Sequence, residues 1–178
     1  YFTQDFHFLD DGETDYTATN QNDVIYTNFG NNAINGADGF DLVSYEYWQY
    51  SINVHLSNGF VSQGNGQLDL LSEVEGVIGT DFGDTLTGNE FDNRFIGGMG
   101  NDTIYGGAGD DRISSGGNNN TIYGGEGNDW IYADGLVFGD DGVDHIYGIG
   151  VLDGGAGTDF LYGEGVLDGG ADNDFLAG

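Results

Sequence analysis

The chain has 178 residues, enough for one domain or a short array of repeats, and its 35 glycines with no proline exclude collagen. Only Arg94 and Arg112 offset 31 acidic residues, and the resulting charge of −29 is repelled by nucleic-acid phosphates and anionic lipid. A hydrophobic content of 38% with 14% aromatics is too high for a purely solvating disordered tail. Cysteine is absent, so disulfides and thiolate metal sites are excluded, and no apolar run approaches the roughly 18 residues needed to span a bilayer. Tyr1 in place of an initiator Met points to a processed chain or an excerpt.

In chain order, residues 1–17 are aromatic and acidic and read as a lead-in or cap, with DDGETDYTA as a degenerate repeat. Residues 18–44 then give three nines, ATNQNDVIY, TNFGNNAIN and GADGFDLVS. The period breaks over 45–78, where strand-like runs flank Asn58-Gly59, a β-hairpin signal. From Gly79 to Tyr132 the nines return: GTDFGDTLT, GNEFDNRFI, GGMGNDTIY, GGAGDDRIS, SGGNNNTIY and GGEGNDWIY. Over 133–178 the unit lengthens to fifteen, as six-residue segments (ADGLVF, GIGVLD, GEGVLD) alternate with nines.

The columns have a physical meaning. The sixth position is acid or amide: Asp23, Asn32, Asp41, Asp84, Asn93, Asp102, Asp111, Asn120, Asp129, Asp144, Asp159 and Asp174. The eighth is always apolar, from Ile25 through Ile104 to Leu176. Glycine clusters before the acid, where a tight turn needs positive φ. Each nine therefore predicts a six-residue turn followed by a three-residue strand whose middle side chain points inward.

In this register the chain resembles the RTX (hemolysin-type) calcium-binding nonapeptide-repeat family, whose GGxGxDxUx unit builds parallel β-rolls. The resemblance implies an all-β fold, a calcium-bound right-handed parallel β-roll solenoid, here with an inserted β-hairpin near its N-terminal part. In that family two nines complete a turn, so residues 18 apart stack. Asp84, Asp102 and Asn120 fall on one side by this rule, and Asn93, Asp111 and Asp129 on the other. Asp144, Asp159 and Asp174 continue the second side in steps of 15, while the first side loses its loops and its metal sites after Tyr132. Stacked strands bring such carboxylates about 4.8 Å apart, where they repel unless a cation lies between them. Calcium suits that gap better than magnesium. The expected metal ligands are Asp23, Asp41, Asp84, Asn93, Asp102, Asp111, Asn120, Asp129, Asp144, Asp159 and Asp174, holding several Ca2+ ions, with the mixed Asp–Asn pairs binding more weakly. Isolated Asp-Gly pairs often only solvate turns, but a fixed column of nine aspartates does not fit that reading.

Nothing in the sequence is arranged for catalysis. His7, His55 and His145 are scattered, and neither HExxH nor GxSxG occurs. Sequons at Asn101 and Asn119 fall inside the metal loops and read as a by-product of the repeat. Trp130, His145, Phe160 and Phe175 at seventh positions, with Tyr132, Tyr147 and Tyr162 at ninth positions, should form an outward aromatic ladder, and such contiguous apolar surface marks interfaces. The expectation is a non-enzymatic, secreted or cell-surface module that folds on calcium and serves a surface layer, adhesin or extracellular filament. Self-association through the C-terminal coil and the aromatic face belongs to that expectation. The alternative is the C-terminal module of a secreted protease, lipase or polysaccharide epimerase; a membrane-lytic toxin lacks any amphipathic or spanning helix.

Overall fold

A computed structural model describes residues 5–9 and 14–178; the lead-in expected over 1–17 therefore lies partly outside the described residues. The chain is all-β, with short strands stacked in parallel as a solenoid of about nine turns. Two faces enclose one core. The near face runs β1 (Asp5–Phe8), β3 (Asp23–Tyr26), β5 (Leu42–Ser44), β9 (Gly76–Ile78) and β11 (Arg94–Ile96). It continues through the leading parts of β13 (Arg112–Glu126), β14 (Trp130–Asp141), β15 (His145–Ala156) and β16 (Phe160–Asp168) to β17 (Phe175–Ala177). The far face contains β2 (Asp15–Thr17), β4 (Ala33–Asn35), β10 (Thr85–Thr87), β12 (Thr103–Ala108) and the trailing parts of β13 to β16.

The inward eighth-position side chains form the core. Ile25, Val43, Leu86, Phe95, Ile104, Ile122, Ile131, Ile146 and Leu161 are fully buried, and Val137 and Leu152 join them from the six-residue segments. Each such side chain contributes about 1.5–3 kcal/mol of hydrophobic stabilisation. Leu176 differs: it lies in the last rung, is covered from one side only, and remains 43% exposed. Absence of proline fits this architecture, because a parallel ladder uses the N–H of successive residues.

Residues 45–78 do not leave the roll. β6 (Ile52–His55), β7 (Phe60–Gln63) and β8 (Leu68–Ser72) form an antiparallel meander on the far face. Its outer strands are themselves rungs, since β8 pairs in parallel with β4, and β6 with β10. A 3-10 turn over Leu56–Asn58 ends at Gly59 (φ 67°) and closes the first hairpin. Opposite these three strands the near face has only β5 and β9. The side chains of Tyr45 and Trp48 are buried at this irregularity, packed edge-on at 5.8 Å. The indole N–H of Trp48 donates to Oγ1 of Thr27 (2.9 Å), so the one polar group of this large ring is satisfied.

Candidate metal centre

The sixth-position side chains stand at the turn into each strand and are almost wholly removed from water. Asp23, Asp41, Asp84, Asn93, Asp102, Asp111, Asn120, Asp129, Asp144 and Asp159 are all buried, whereas Asp174 in the last rung is half-buried. All but Asp23 and Asn93 act first as a backbone acceptor for the rung before them. On the near face the N–H of Asp23 donates to Oδ1 of Asp41 (2.8 Å), that of Asn93 to Asp111 (2.6 Å), and that of Asp111 to Asp129 (2.8 Å). The ladder continues from Asp129 to Asp144 (2.8 Å), Asp144 to Asp159 (2.9 Å) and Asp159 to Asp174 (3.1 Å). On the far face Asp84 donates to Asp102 (2.9 Å) and Asp102 to Oδ1 of Asn120 (3.0 Å).

Two further acids occupy the column inside the meander region. The N–H of Asn32 donates to Oδ1 of Asp69 (2.8 Å), and the N–H of Asp41 to Oε2 of Glu75 (2.8 Å). Sequence reasoning over nines missed both because the period is broken there. The signal was an acid two residues before an inward apolar side chain, as in Asp69-Leu70-Leu71 and Glu75-Gly76-Val77. The far column ends where the structure pairs Asn120 with Gly135, then Gly150 and Gly165, positions with no side chain to offer.

The second carboxylate oxygen separates the loops into two kinds. Oδ2 of Asp41, Asp111, Asp129, Asp144 and Asp159 is buried with no hydrogen-bond partner. An orphaned carboxylate oxygen in a dry site is costly unless something positive faces it. Oδ2 of Asp23, by contrast, accepts from the N–H and Oγ1 of Thr19, both at 2.8 Å. Oδ2 of Asp84 accepts from the N–H (2.6 Å) and Oγ1 (3.1 Å) of Thr80. Asp102 is closed by the hydroxyl of Ser115 (2.6 Å).

The backbone at the second loop position explains the split except at Asp102, where Gly98 takes φ 91° and the hydroxyl of Ser115 closes the acid instead. Residues Ala37, Gly107, Gly125, Asp140 and Gly155 take φ of 65°, 120°, 115°, 73° and 100°, and none sends its N–H to the acid four residues on. Thr19 and Thr80 have no such left-handed φ and do donate. First-position glycines complete the open loops. A Cβ on Gly106, Gly124, Gly139 or Gly154 would overlap Oδ2 of Asp111, Asp129, Asp144 or Asp159.

Burial dominates the electrostatics. It pushes Asp111 and Asp144 up to about 7, with neighbouring carboxylates adding to the shift, and Asp41, Asp84 and Asp129 up to about 6. Asp102 and Asp159 also move upward, for the same reason. A column of buried, mutually repelling, oxygen-only donors with orphaned atoms has the chemistry of a hard divalent-cation site, and calcium fits it.

A sequence profile of the RTX calcium-binding nonapeptide repeat matches residues 10–43, 78–113, 105–135, 151–165 and 166–178. The chain belongs to this RTX family. The matched stretches leave out 44–77, the region of the meander, where the repeat is broken. No curated protein matches the chain.

Along its outer surface this RTX chain carries aromatic ladders on both faces. On the near face Trp130, His145 and Phe160 stack with centroids 4.4 and 4.7 Å apart, and Tyr147 stacks on Tyr162 at 4.9 Å. Trp130 and Tyr132 remain 53% and 68% exposed. The far face adds Tyr105, Tyr123 and Phe138, each pair 5.1 Å apart, a ladder the sequence reading did not single out. Arg94 and Arg112 occupy adjacent rungs of the same near-face column as Trp130. Among the described residues no helix is long and apolar enough to cross a membrane.

Proposed function

We propose that the chain is a non-enzymatic structural module that folds as calcium enters the near-side column, and that it acts outside the cell in a surface layer, adhesin or extracellular filament. The observation that carries the calcium assignment is the set of orphaned Oδ2 atoms on consecutive rungs at Asp111, Asp129, Asp144 and Asp159. These carboxylates, with Asp41 and Asp174, would hold the ions, assisted by carbonyls of the glycine-rich turns. Bound calcium supplies positive charge and six to eight oxygen-ligand positions. The Thr-closed acids Asp23 and Asp84, the Ser-closed Asp102, and the amides Asn93 and Asn120 are the weaker members of the expected ligand set.

A location outside the cell is supported by the family and by calcium affinity. Extracellular calcium modules work at roughly 10⁻⁴–10⁻³ M, far above cytosolic calcium. Export as an unfolded acidic chain followed by folding in calcium is consistent with that range. The aromatic ladder of Trp130, Tyr132, Tyr147, Phe160 and Tyr162, exposed at Trp130 and Tyr132 and half-buried at the others, supports an assembly role, because contiguous apolar surface open to water marks interaction sites. Light scattering against calcium concentration tests this, with Phe160→Asp as the comparison. Calcium-dependent growth in size that Phe160→Asp abolishes is the expected result; a wild-type chain monomeric at saturating calcium removes the assembly role. Service as the C-terminal module of a secreted enzyme would then be the better reading, and a catalytic domain in the same polypeptide would establish it.

A further inference from the structure

The first rung departs from the pattern of all later ones. Asp5 pairs in register with Asp23, and His7 with Ile25, so a histidine stands at the eighth, inward position that is otherwise apolar. The backbone around it also changes. Elsewhere the N–H of the preceding rung occupies Oδ1 of the sixth-position acid, but the N–H of Asp5 donates to the carbonyl of Asn22 instead (3.2 Å). Oδ1 of Asp23 is thereby left buried with no hydrogen bond, on a residue with 0% exposure. Nε2 of His7 is likewise buried without a hydrogen bond and lies 3.3 Å from that oxygen. Oδ2 of Asp23 is turned the other way and held by Thr19.

Asp5, His7 and Asp23 place one ligand atom each within 4.8 Å of one another, the one such group of His, Asp and Glu side chains among the described residues. We propose that these three residues form a transition-metal site, for Zn2+ or an ion of similar preference, distinct from the open calcium loops at Asp41 and from Asp111 onward. Calcium takes oxygen donors, whereas imidazole nitrogen with carboxylate suits zinc. Ligands bound tetrahedrally at about 2.0–2.1 Å lie roughly 3.3 Å apart, which matches the His7–Asp23 separation. Asp5 is half-exposed and has the freedom to close the remaining distance. Three protein ligands leave a fourth position for water or a group from another molecule. A metal here would tie β1 to β3 and close the N-terminal end of the core.

Isothermal titration of the full chain with Zn2+ in saturating calcium tests the site, since calcium then occupies the oxygen column. About one equivalent is expected to bind, with His7→Gln weakening it tenfold or more. Co2+ in place of zinc should give visible d–d absorption that His7→Gln removes, while His55→Gln, at a histidine packed against Phe60, leaves it intact. Circular dichroism in calcium checks that each variant folds. If His7→Gln fails to fold, Asp5→Asn carries the same comparison from the half-exposed strand. Zinc binding unchanged by both variants, or no zinc binding at all, would mean that His7 and Asp23 form only an ion pair, and would overturn the assignment. The loss of calcium-dependent folding would instead count against the calcium column, so the two failures are distinguishable.

Discussion

The loops ending at Asp84 and Asp144 occupy equivalent positions, yet they solve the burial of a carboxylate in different ways. At Asp84 the residue four positions earlier, Thr80, turns its N–H and hydroxyl onto the acid and satisfies both oxygens from within the chain. At Asp144 the corresponding residue, Asp140, lies at φ 73° and contributes neither group, so one oxygen has no partner. Asp69 is the extreme of the first kind. Its two oxygens accept from Asn32, Tyr45 and Gln63, which makes it a polar hub of the meander with no acceptor left over. Between these two loops one backbone torsion decides whether the acid is completed by its own turn, whereas Asp102, with Gly98 at φ 91°, and Asp69 are completed by side chains from elsewhere in the fold. The internally closed acids lie at or before Asp102, and the open ones, apart from Asp41, run in sequence from Asp111 onward.

Calcium removal should separate these two regions most strongly. Three open pairs, Asp111–Asp129, Asp129–Asp144 and Asp144–Asp159, each contribute about 1.4 kcal/mol at tenfold excess calcium, or about 4 kcal/mol together. A typical domain has only about 5–15 kcal/mol of net stability. Hydrogen exchange should therefore accelerate on the order of 10³-fold in β14 to β16 on adding chelator, and much less in β6, β7 and β10. Uniform loss of protection would show that the closed loops confer no independence.

The same contrast carries a pH signature in metal-free protein. Asp111, Asp129 and Asp144 are held at about 6–7 in the folded chain, against about 3.9 in an unfolded one. Between these values the native state binds more protons than the unfolded state, so stability must fall as pH rises through that window. Chelator-treated protein should gain strand signal by circular dichroism when pH is lowered from about 7.5 to about 5. Calcium should flatten that dependence. A metal-free chain that is more ordered at the higher pH would contradict the burial assigned to these acids.

A smaller effect is expected from the glycine cradle. Gly124 has no left-handed φ, so Gly124→Ala tests space alone, and its Cβ would meet Oδ2 of Asp129 and the carbonyl of Gly139. The expected cost is about 1–3 kcal/mol, with weakened calcium binding at that rung. Gly30→Ala is the control. Its nearest neighbour is 3.6 Å away, so the change should be neutral or stabilise by about 0.4–1 kcal/mol. Thermal unfolding and calcium titration of the pair would show whether glycine at the first position is required for the acid.

Most of this was legible in the sequence, and the exceptions have physical reasons. The apolar eighth position and the step from 18 to 15 residues specify the rungs, because stacking requires a constant coil length. Asp69 and Glu75 were hidden because the meander adds strands to the far face and so breaks the count of residues. The division into open and closed loops was hidden for another reason. It depends on φ at Ala37, Thr80 or Asp140, and residue type alone does not fix the sign of φ at a non-glycine position. His7 was read as one of three scattered histidines. Its inward place follows only from the pairing of β1 with β3 across a stretch with no regular repeat.

The finest test of the comparison is Thr80→Val, which keeps the shape of the side chain and removes its hydroxyl. That hydroxyl donates to Asp84 at 3.0 Å (Oδ1) and 3.1 Å (Oδ2), and its oxygen accepts the N–H of Phe82 at 3.0 Å. Asp84 would keep the N–H groups of residues 80 and 52, so the loop loses one charge-assisted contact and one turn hydrogen bond rather than its whole support. A cost of about 1–3 kcal/mol follows, and the melting temperature should fall roughly 2–4 °C for each kcal/mol. Calcium distinguishes this loop from an open one. With residue 80 still donating its N–H to Asp84, the loop keeps its closed backbone, so raising calcium should not restore the lost stability. Asp144→Asn, which removes charge from an open loop, should instead give a deficit that changes with calcium concentration. Should calcium rescue Thr80→Val fully, the threonine would be standing in for an ion in a loop that is open in all but side chain, and the backbone torsion would not be what separates the two kinds.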